Sequence, residues 1–217
     1  MKLTELQSAI ATQPDGQWGP TSAAALSRAF TNPAPARLSA ADATCFAQRL
    51  GVTPAQLAAV ARVESAGGGY DASGKPKILF ERHKFHAATA GRYSPASFSN
   101  PTPGGYDQDS WGKLQAAIAT GAVDAAFASA SWGKFQVMGG YWQAFGYASP
   151  FALAHSTVAS EAGHYTLLVA YIEHFNLQAK LAALSGNPED CRAFAKAYNG
   201  AGYEKFAYHT KLAATLA

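Results

Sequence analysis

Residues 53–69 read TPAQLAAVARVESAGGG, and how Glu64 sits in that run decides how the rest of the chain is read. Thr53 followed by Pro54 is an N-cap and first-turn pair, because the hydroxyl takes an otherwise unpaired amide and proline supplies a preset φ. The helix that starts there carries Leu57, Val60 and Ala61 on one stripe, and seven positions after Leu57 the same stripe reaches Glu64. The carboxylate is therefore expected to face inward, in the last turn of its helix. Desolvation and the negative end of the helix dipole both disfavour the ionised form, which predicts a raised pKa. Such an acid holds its proton near neutral pH and hands it to a leaving oxygen, as cleavage of a glycosidic bond requires. The plain alternative is a solvated glutamate at a fraying helix end, paired with Arg62 or a lysine. Gly67, Gly68 and Gly69 favour the first reading, since backbone without Cβ atoms admits a ligand closely, although one of them serves equally as a helix cap.

Around this helix the pattern is mainly α. Ser39 caps a helix running to about Leu50, and Asn187-Pro188 followed by Glu189 and Asp190 opens another whose apolar face is Cys191, Phe194, Ala195 and Tyr198, ended by Gly200. The stretch from Ser160 places Tyr165, Leu168, Val169 and Ile172 on one face and is the expected central core helix. Residues 70–81, YDASGKPKILFE, break the helical rhythm with a Ser-Gly turn and a short alternating run, which predicts a small β-hairpin. Residues 92–110, rich in Ser, Pro and Gly, read as a long surface loop of the kind that often carries function. TNPAPAR, residues 31–37, is the clearest linker, with a boundary near Asn32. Before it, two short helices flank the turn QPDGQWGP, and so small a segment is expected to pack on the larger domain. The resulting division is a helical segment at 1–35 and a main domain at 38–217.

Composition sets the outer bounds. A chain of 217 residues that is 48% hydrophobic and 14% charged buries a full core and is not a disordered tail. Seventeen basic against fourteen acidic residues leave a net charge of +3 with no basic stripe, which argues against nucleic acid as a partner. A pI near 8.8 suits association with an anionic polymer such as a bacterial envelope, and solubility explains it equally well. No run approaches the ~18 apolar residues of a membrane span, and MKLTELQSAI is too polar for a signal-peptide core. The expectation is a soluble chain made in the cytoplasm, monomeric, with no stable membrane insertion. Cys45 and Cys191 are too few for a disulfide framework and lack zinc-site spacing, so both are expected to be core thiols. No cofactor or metal is implied.

Four motifs in order, VESAGGG, KPKILFERHKFH, ASWGKFQVMG and AYNGAGY, resemble the N-acetylmuramidase domain of phage endolysins, and more distantly goose-type lysozymes and lytic transglycosylases. The resemblance covers roughly residues 40–217. It implies a lysozyme-like α+β fold, mainly α, and a bacteriolytic glycoside hydrolase that cuts the β-1,4 link between N-acetylmuramic acid and N-acetylglucosamine in peptidoglycan. Glu64, the Glu of the Glu-Ser pair, falls on the proton donor. Ser131 and Gln136 are neutral hydrogen-bonding side chains suited to orienting sugar hydroxyl and acetamido groups; their plain reading is a helix cap and a solvated glutamine. Tyr198 and Asn199 read blandly as a core tyrosine and a capping asparagine, whereas the family pattern brings this pair to the acid, where the hydroxyl bonds the carboxyl or the substrate. Glu81, at the end of KILFE, is the candidate second carboxylate, activating water in an inverting mechanism with the two carboxyl groups about 6.5–9.5 Å apart. Its alternative is an ion pair with Arg82, His83 or Lys84, and Asp71 is the weaker substitute. Without a second carboxylate, the substrate's own acetamido group would participate and leave an anhydro product. A phage enzyme of this kind would accumulate in the host cytoplasm and reach the wall after a holin opens the inner membrane.

LQSAIATQPDGQWGPTSAAAL resembles the central part of a peptidoglycan-binding module. Asp15, Gly16 and Trp18 belong either to a wall-binding element or to a structural brace. Trp132, Trp142, Tyr141 and Tyr147 are either sugar-stacking or core aromatics. Competing readings are a zinc amidase on His83 and His86, a cysteine peptidase on Cys45, a chitinase-type enzyme, and a wall-binding protein without catalysis. The first lacks a third ligand motif, and the second places its cysteine on an amphipathic helix.

Overall fold

The computed structural model describes residues 1–65, 68–107 and 109–217; Ala66, Gly67 and Gln108, and with Gly67 one of the three glycines after Glu64, lie outside the described residues. In chain order the helices are α1 (Leu3–Ala9), α2 (Pro20–Ala29), α3 (Ala40–Leu50), α4 (Pro54–Glu64), α5 (Arg82–Ala88), α6 (Ser110–Ala119), α7 (Val123–Ala128), α8 (Pro150–His155), α9 (Glu161–His174), α10 (Gln178–Ala182), α11 (Pro188–Asn199) and α12 (Tyr208–Ala214). Three short strands, β1 (Ile78–Phe80), β2 (Ala130–Trp132) and β3 (Val137–Met138), form one antiparallel sheet in that order. The chain is thus mainly α with a small sheet. It divides into two compact units, one made of Met1–Pro35 and Tyr70–Ala159, the other of Ala36–Gly69 and Ser160–Ala217.

The first unit is built on aromatic rings. Phe30, at the end of α2, meets Trp111 edge-on at 5.2 Å, Trp132 at 5.6 Å, Phe151 at 5.9 Å and Phe127 at 6.1 Å. The N-terminal segment therefore supplies a central ring to the core of this unit. Its turn is pinned from inside by the fully buried Gln7, whose Nε2 donates to Asp15 Oδ1 at 2.8 Å and to the Gln17 carbonyl at 2.9 Å, while its Oε1 accepts from the Gly16 amide at 2.8 Å. A buried amide that satisfies both of its ends fixes a loop firmly. Asp15 and Gly16 are thus held in the turn by Gln7. Trp132, 1% exposed, is likewise a core residue, and its indole donates to the Phe127 carbonyl at 3.2 Å.

The hairpin expected over residues 70–81 is reduced to an isolated bridge between Tyr70 and Pro76. Its strand instead pairs Ile78 with Trp132, Leu79 with Ser131 and Phe80 with Ala130. Local turn chemistry could not reveal this, because the partner strand lies some fifty residues away in sequence. The loop 92–107 is held down rather than free. Phe98 packs on Phe85 at 5.8 Å, Arg82 Nε donates to the Thr102 carbonyl at 3.0 Å, and Lys113 Nζ donates to the Gly105 carbonyl.

Among the described residues the second unit is built of helices, with one isolated bridge between Ala36 and Ser160. α3 and α4 both begin with capping boxes, Ser39 with Asp42 and Thr53 with Gln56, and Gly51 between them takes φ 68° to end α3. Gln56 also donates to the Ala182 and Leu184 carbonyls at 2.7 and 3.0 Å, which ties the start of α4 to the end of α10. Arg49 on α3 grips Glu173 on α9 through both carboxylate oxygens, at 2.8 and 2.6 Å. Leu57, Val60 and Ala61 are buried together with Leu168, Val169 and Ile172 of α9 and Cys191, Phe194 and Ala195 of α11. Cys45 departs from expectation. It is exposed while Cys191 is buried, because the inward positions of α3 are Ala47 and Leu50, and Cys45 falls on the other side of that helix.

Candidate active site

Glu64 closes α4 in the second unit, where it is half-buried. The apolar stripe that points Leu57 and Val60 inward carries it part of the way to the interior. Burial is the largest influence on its carboxyl and pushes the pKa up from the ordinary value; a hydrogen bond from Asn199 and the charge of Lys211 pull the other way without cancelling it. Asn199 Nδ2 donates to Glu64 Oε1 at 3.0 Å. Its neighbour Tyr198 stacks on Phe194 at 5.4 Å and meets Tyr171 edge-on at 5.3 Å. Tyr198 is half-buried, and burial followed by the proximity of Glu64 raises its pKa well above the usual phenol value. Glu64, Tyr198 and Asn199 are therefore brought together. Of the charged partners in the plain alternative, Arg62 is exposed and lines with Ala55, Ala58, Ala59 and Thr215 a separate cavity of about 270 Å³, whereas a lysine, Lys211, does lie within electrostatic reach of Glu64.

Two residues near Glu64 escaped sequence reading, Tyr208 and Lys211, three apart on α12. Lys211 lowers the Glu64 pKa, and Glu64, after burial, raises that of Tyr208. Only packing of the last helix reveals them.

The other candidates stand in the first unit. Glu81 is the N-terminal flanking residue of α5; its Oε2 accepts from the Tyr106 hydroxyl at 2.9 Å and lies 3.3 Å from His83 Nδ1, close enough for an ion pair but without hydrogen-bond geometry. His83 is one of the partners weighed in the bland reading. Tyr106 is 47% exposed and comes from the loop held by Arg82 and Lys113, so the same loop supplies an aromatic face and a hydroxyl beside this carboxylate. Ser131 and Gln136 meet each other across β2 and β3, with Ser131 Oγ donating to Gln136 Oε1 at 2.8 Å. Gln136 Nε2 donates to the Gly133 and Lys77 carbonyls at 2.7 and 3.2 Å, and the residue holds φ 49°. Its amide is thus spent on the turn, and one lone pair on Oε1 is left for a ligand. Asp71 Oδ1 accepts from the Ser73 amide and hydroxyl and the Lys75 amide. Burial pushes its pKa up, but these bonds outweigh it and hold the carboxyl below its ordinary value, as a turn-forming aspartate requires. No group of three or more His, Cys, Asp or Glu among the described residues is arranged to hold a metal ion. Among those residues, no helix is long and apolar enough to cross a membrane.

The N-acetylmuramidase family matches residues 53–217. A crystal structure of the Burkholderia AP3 phage endolysin is similar at 32% identity with a TM-score of 0.73, over 98% of this chain and 81% of that one. No curated protein matches the chain.

Proposed function

Because this chain belongs to the N-acetylmuramidase family, we propose that it hydrolyses the β-1,4 bond between N-acetylmuramic acid and N-acetylglucosamine in peptidoglycan, with Glu64 as general acid. The observation that carries this reading is a half-buried carboxyl whose surroundings favour its protonated form and whose orientation is set by Asn199. Glu64 gives its proton to the glycosidic oxygen as the C1–O bond breaks, and the departing sugar leaves with a free hydroxyl. Glu81 takes a proton from the water that attacks C1, which inverts the anomeric centre. Tyr198 backs the acid, and Ser131 and Gln136 present hydroxyl and amide oxygens to the sugar. The enzyme acts in phage lysis, reaching the wall from the host cytoplasm after a holin opens the membrane; its likeness to a phage endolysin supports the lytic role.

One observation favours a second reading. Glu81 Oε2 already accepts from the Tyr106 hydroxyl, so one of the acceptor positions of this carboxylate is taken before water arrives. If Glu81 takes no part, the muramoyl acetamido group attacks C1 and the sugar's own 6-hydroxyl displaces it, giving the anhydro product of a transglycosylase.

Mass spectrometry of the muropeptides released by the wild-type chain and by Glu64→Gln and Glu81→Gln separates these outcomes. Reducing ends at muramic acid, lost by ~10²–10⁴ in both variants, support the inverting hydrolase. Anhydro ends that survive Glu81→Gln support the second reading, and freed stem peptides or an active Glu64→Gln overturn both.

A further inference from the structure

Beyond the half-buried pair Tyr198 and Asn199, the second unit carries an exposed ridge between α11 and α12. Phe206 is 54% exposed, the most exposed of the large apolar side chains among the described residues. Its ring meets that of Tyr208 edge-on at 6.1 Å. Lys205 Nζ sits 5.7 Å above the Phe206 ring and Lys211 Nζ 5.5 Å above that of Tyr208, so each ring of the pair carries its own ammonium group. Ala207, between the rings, is held at φ 53°, a left-handed conformation that costs a residue with a Cβ and persists where its surroundings impose it. Glu204, the acid next to Lys205 in the chain, is drawn off by Arg192 Nη1 at 2.7 Å and the Tyr203 hydroxyl at 2.9 Å. Tyr208 and Lys211 are also within electrostatic reach of Glu64.

We propose that Lys205, Phe206, Tyr208 and Lys211 form a glycan subsite adjoining Glu64 that takes a sugar bearing a carboxylate, with the sugar's apolar face on the Phe206 ring and its carboxylate between the two ammonium groups. Charge complementarity selects this occupant. A neutral amino sugar gains only the ring contact, whereas a sugar with a lactyl group, free or extended by an acidic peptide, gains both. The inference rests on Glu64 being the acid and names the end of the substrate that lies beside it.

The test uses the full chain carrying Glu64→Gln, which keeps the glycan uncut, and two soluble probes. One is a glycan stripped of stem peptides, whose lactyl groups carry free carboxylates; the other is a chitin oligomer, which carries none. Phe206→Ala should weaken binding of both by about fivefold, and Phe206→Trp should restore it. Lys205→Gln and Lys211→Gln should each weaken only the lactyl glycan, by about two- to fivefold, and the difference should fade at high salt. Unchanged affinity in all variants, or equal weakening toward both probes by the lysine variants, overturns the proposal. An otherwise wild-type chain whose Glu64→Gln form still cuts peptidoglycan would instead overturn the role of Glu64 and leave the binding result standing. Matching thermal melting curves exclude misfolding as the cause.

Discussion

The Asn199 side chain donates to Oε1 of Glu64 at 3.0 Å, so the last residue of α11 sets the orientation of the last residue of α4. A donated hydrogen bond stabilises a carboxylate, and its loss leaves burial less opposed. Asn199→Ala should therefore move the alkaline limb of the kcat profile to higher pH, because Glu64 keeps its proton longer. Turnover at the optimum should fall about 10- to 100-fold as the carboxyl loses its aim. A pH–rate profile on a soluble glycan checks both effects.

The raised Glu64 pKa has a stability consequence. The folded chain holds this proton more tightly than the unfolded chain, so the cost of ionising Glu64 in the fold is absent below the ordinary value of 4.5 and is fully present above the raised one. Glu64→Gln, which removes that cost and can still accept from Asn199, should be more stable than wild type at neutral pH. The difference should vanish well below 4.5. Urea unfolding at the two pH extremes measures it.

Phe30 meets the rings of Trp111, Phe127, Trp132 and Phe151 and the His155 imidazole, all in the first unit. Phe30→Ala should cost about 3–5 kcal/mol, since the neighbouring rings cannot close the cavity. If residues 1–35 were a dispensable wall-binding appendage, the loss would be small. Chemical unfolding of the variant, followed by tryptophan fluorescence, decides between brace and appendage.

Gly74 holds φ 81°, and a Cβ built there would lie 2.1 Å from the Asn32 carbonyl oxygen. The Gly74 carbonyl in turn accepts from the Asn32 amide at 3.1 Å. Gly74→Ala combines a disfavoured backbone with a clash against main chain, and should destabilise the protein by about 2–4 kcal/mol. A lowered melting temperature with unchanged KM in the surviving folded fraction is the expected outcome.

Helix starts were the most legible part of the sequence. Ser39, Thr53-Pro54 and Asn187-Pro188 all act locally, through an amide two or three residues away, and each opens the helix expected of it. The inward stripe of α9 was legible for the same reason, since Tyr165, Leu168, Val169 and Ile172 are spaced by the helical period and are all buried. Pairings set by distant chain were not. The partner strand of β1, the exposed side of Cys45 and the approach of Tyr208 and Lys211 to Glu64 depend on what packs where, and no local spacing encodes that. Glu64 and Asn199 were linked in advance only through the order of motifs in a resembled family, which stands in for long-range information.

The second unit is assembled from two stretches of chain that are far apart in the order of synthesis. Asn199 follows Glu64 by 135 positions, and at roughly 5–20 residues per second a ribosome needs on the order of ten seconds to cover that gap. During that interval the nascent polypeptide carries the acid without the asparagine, tyrosines and lysine that surround it in the finished unit. A product truncated before α11 carries Glu64 without the hydrogen bond from Asn199, so the C-terminal stretch of the chain completes the surroundings of this carboxyl.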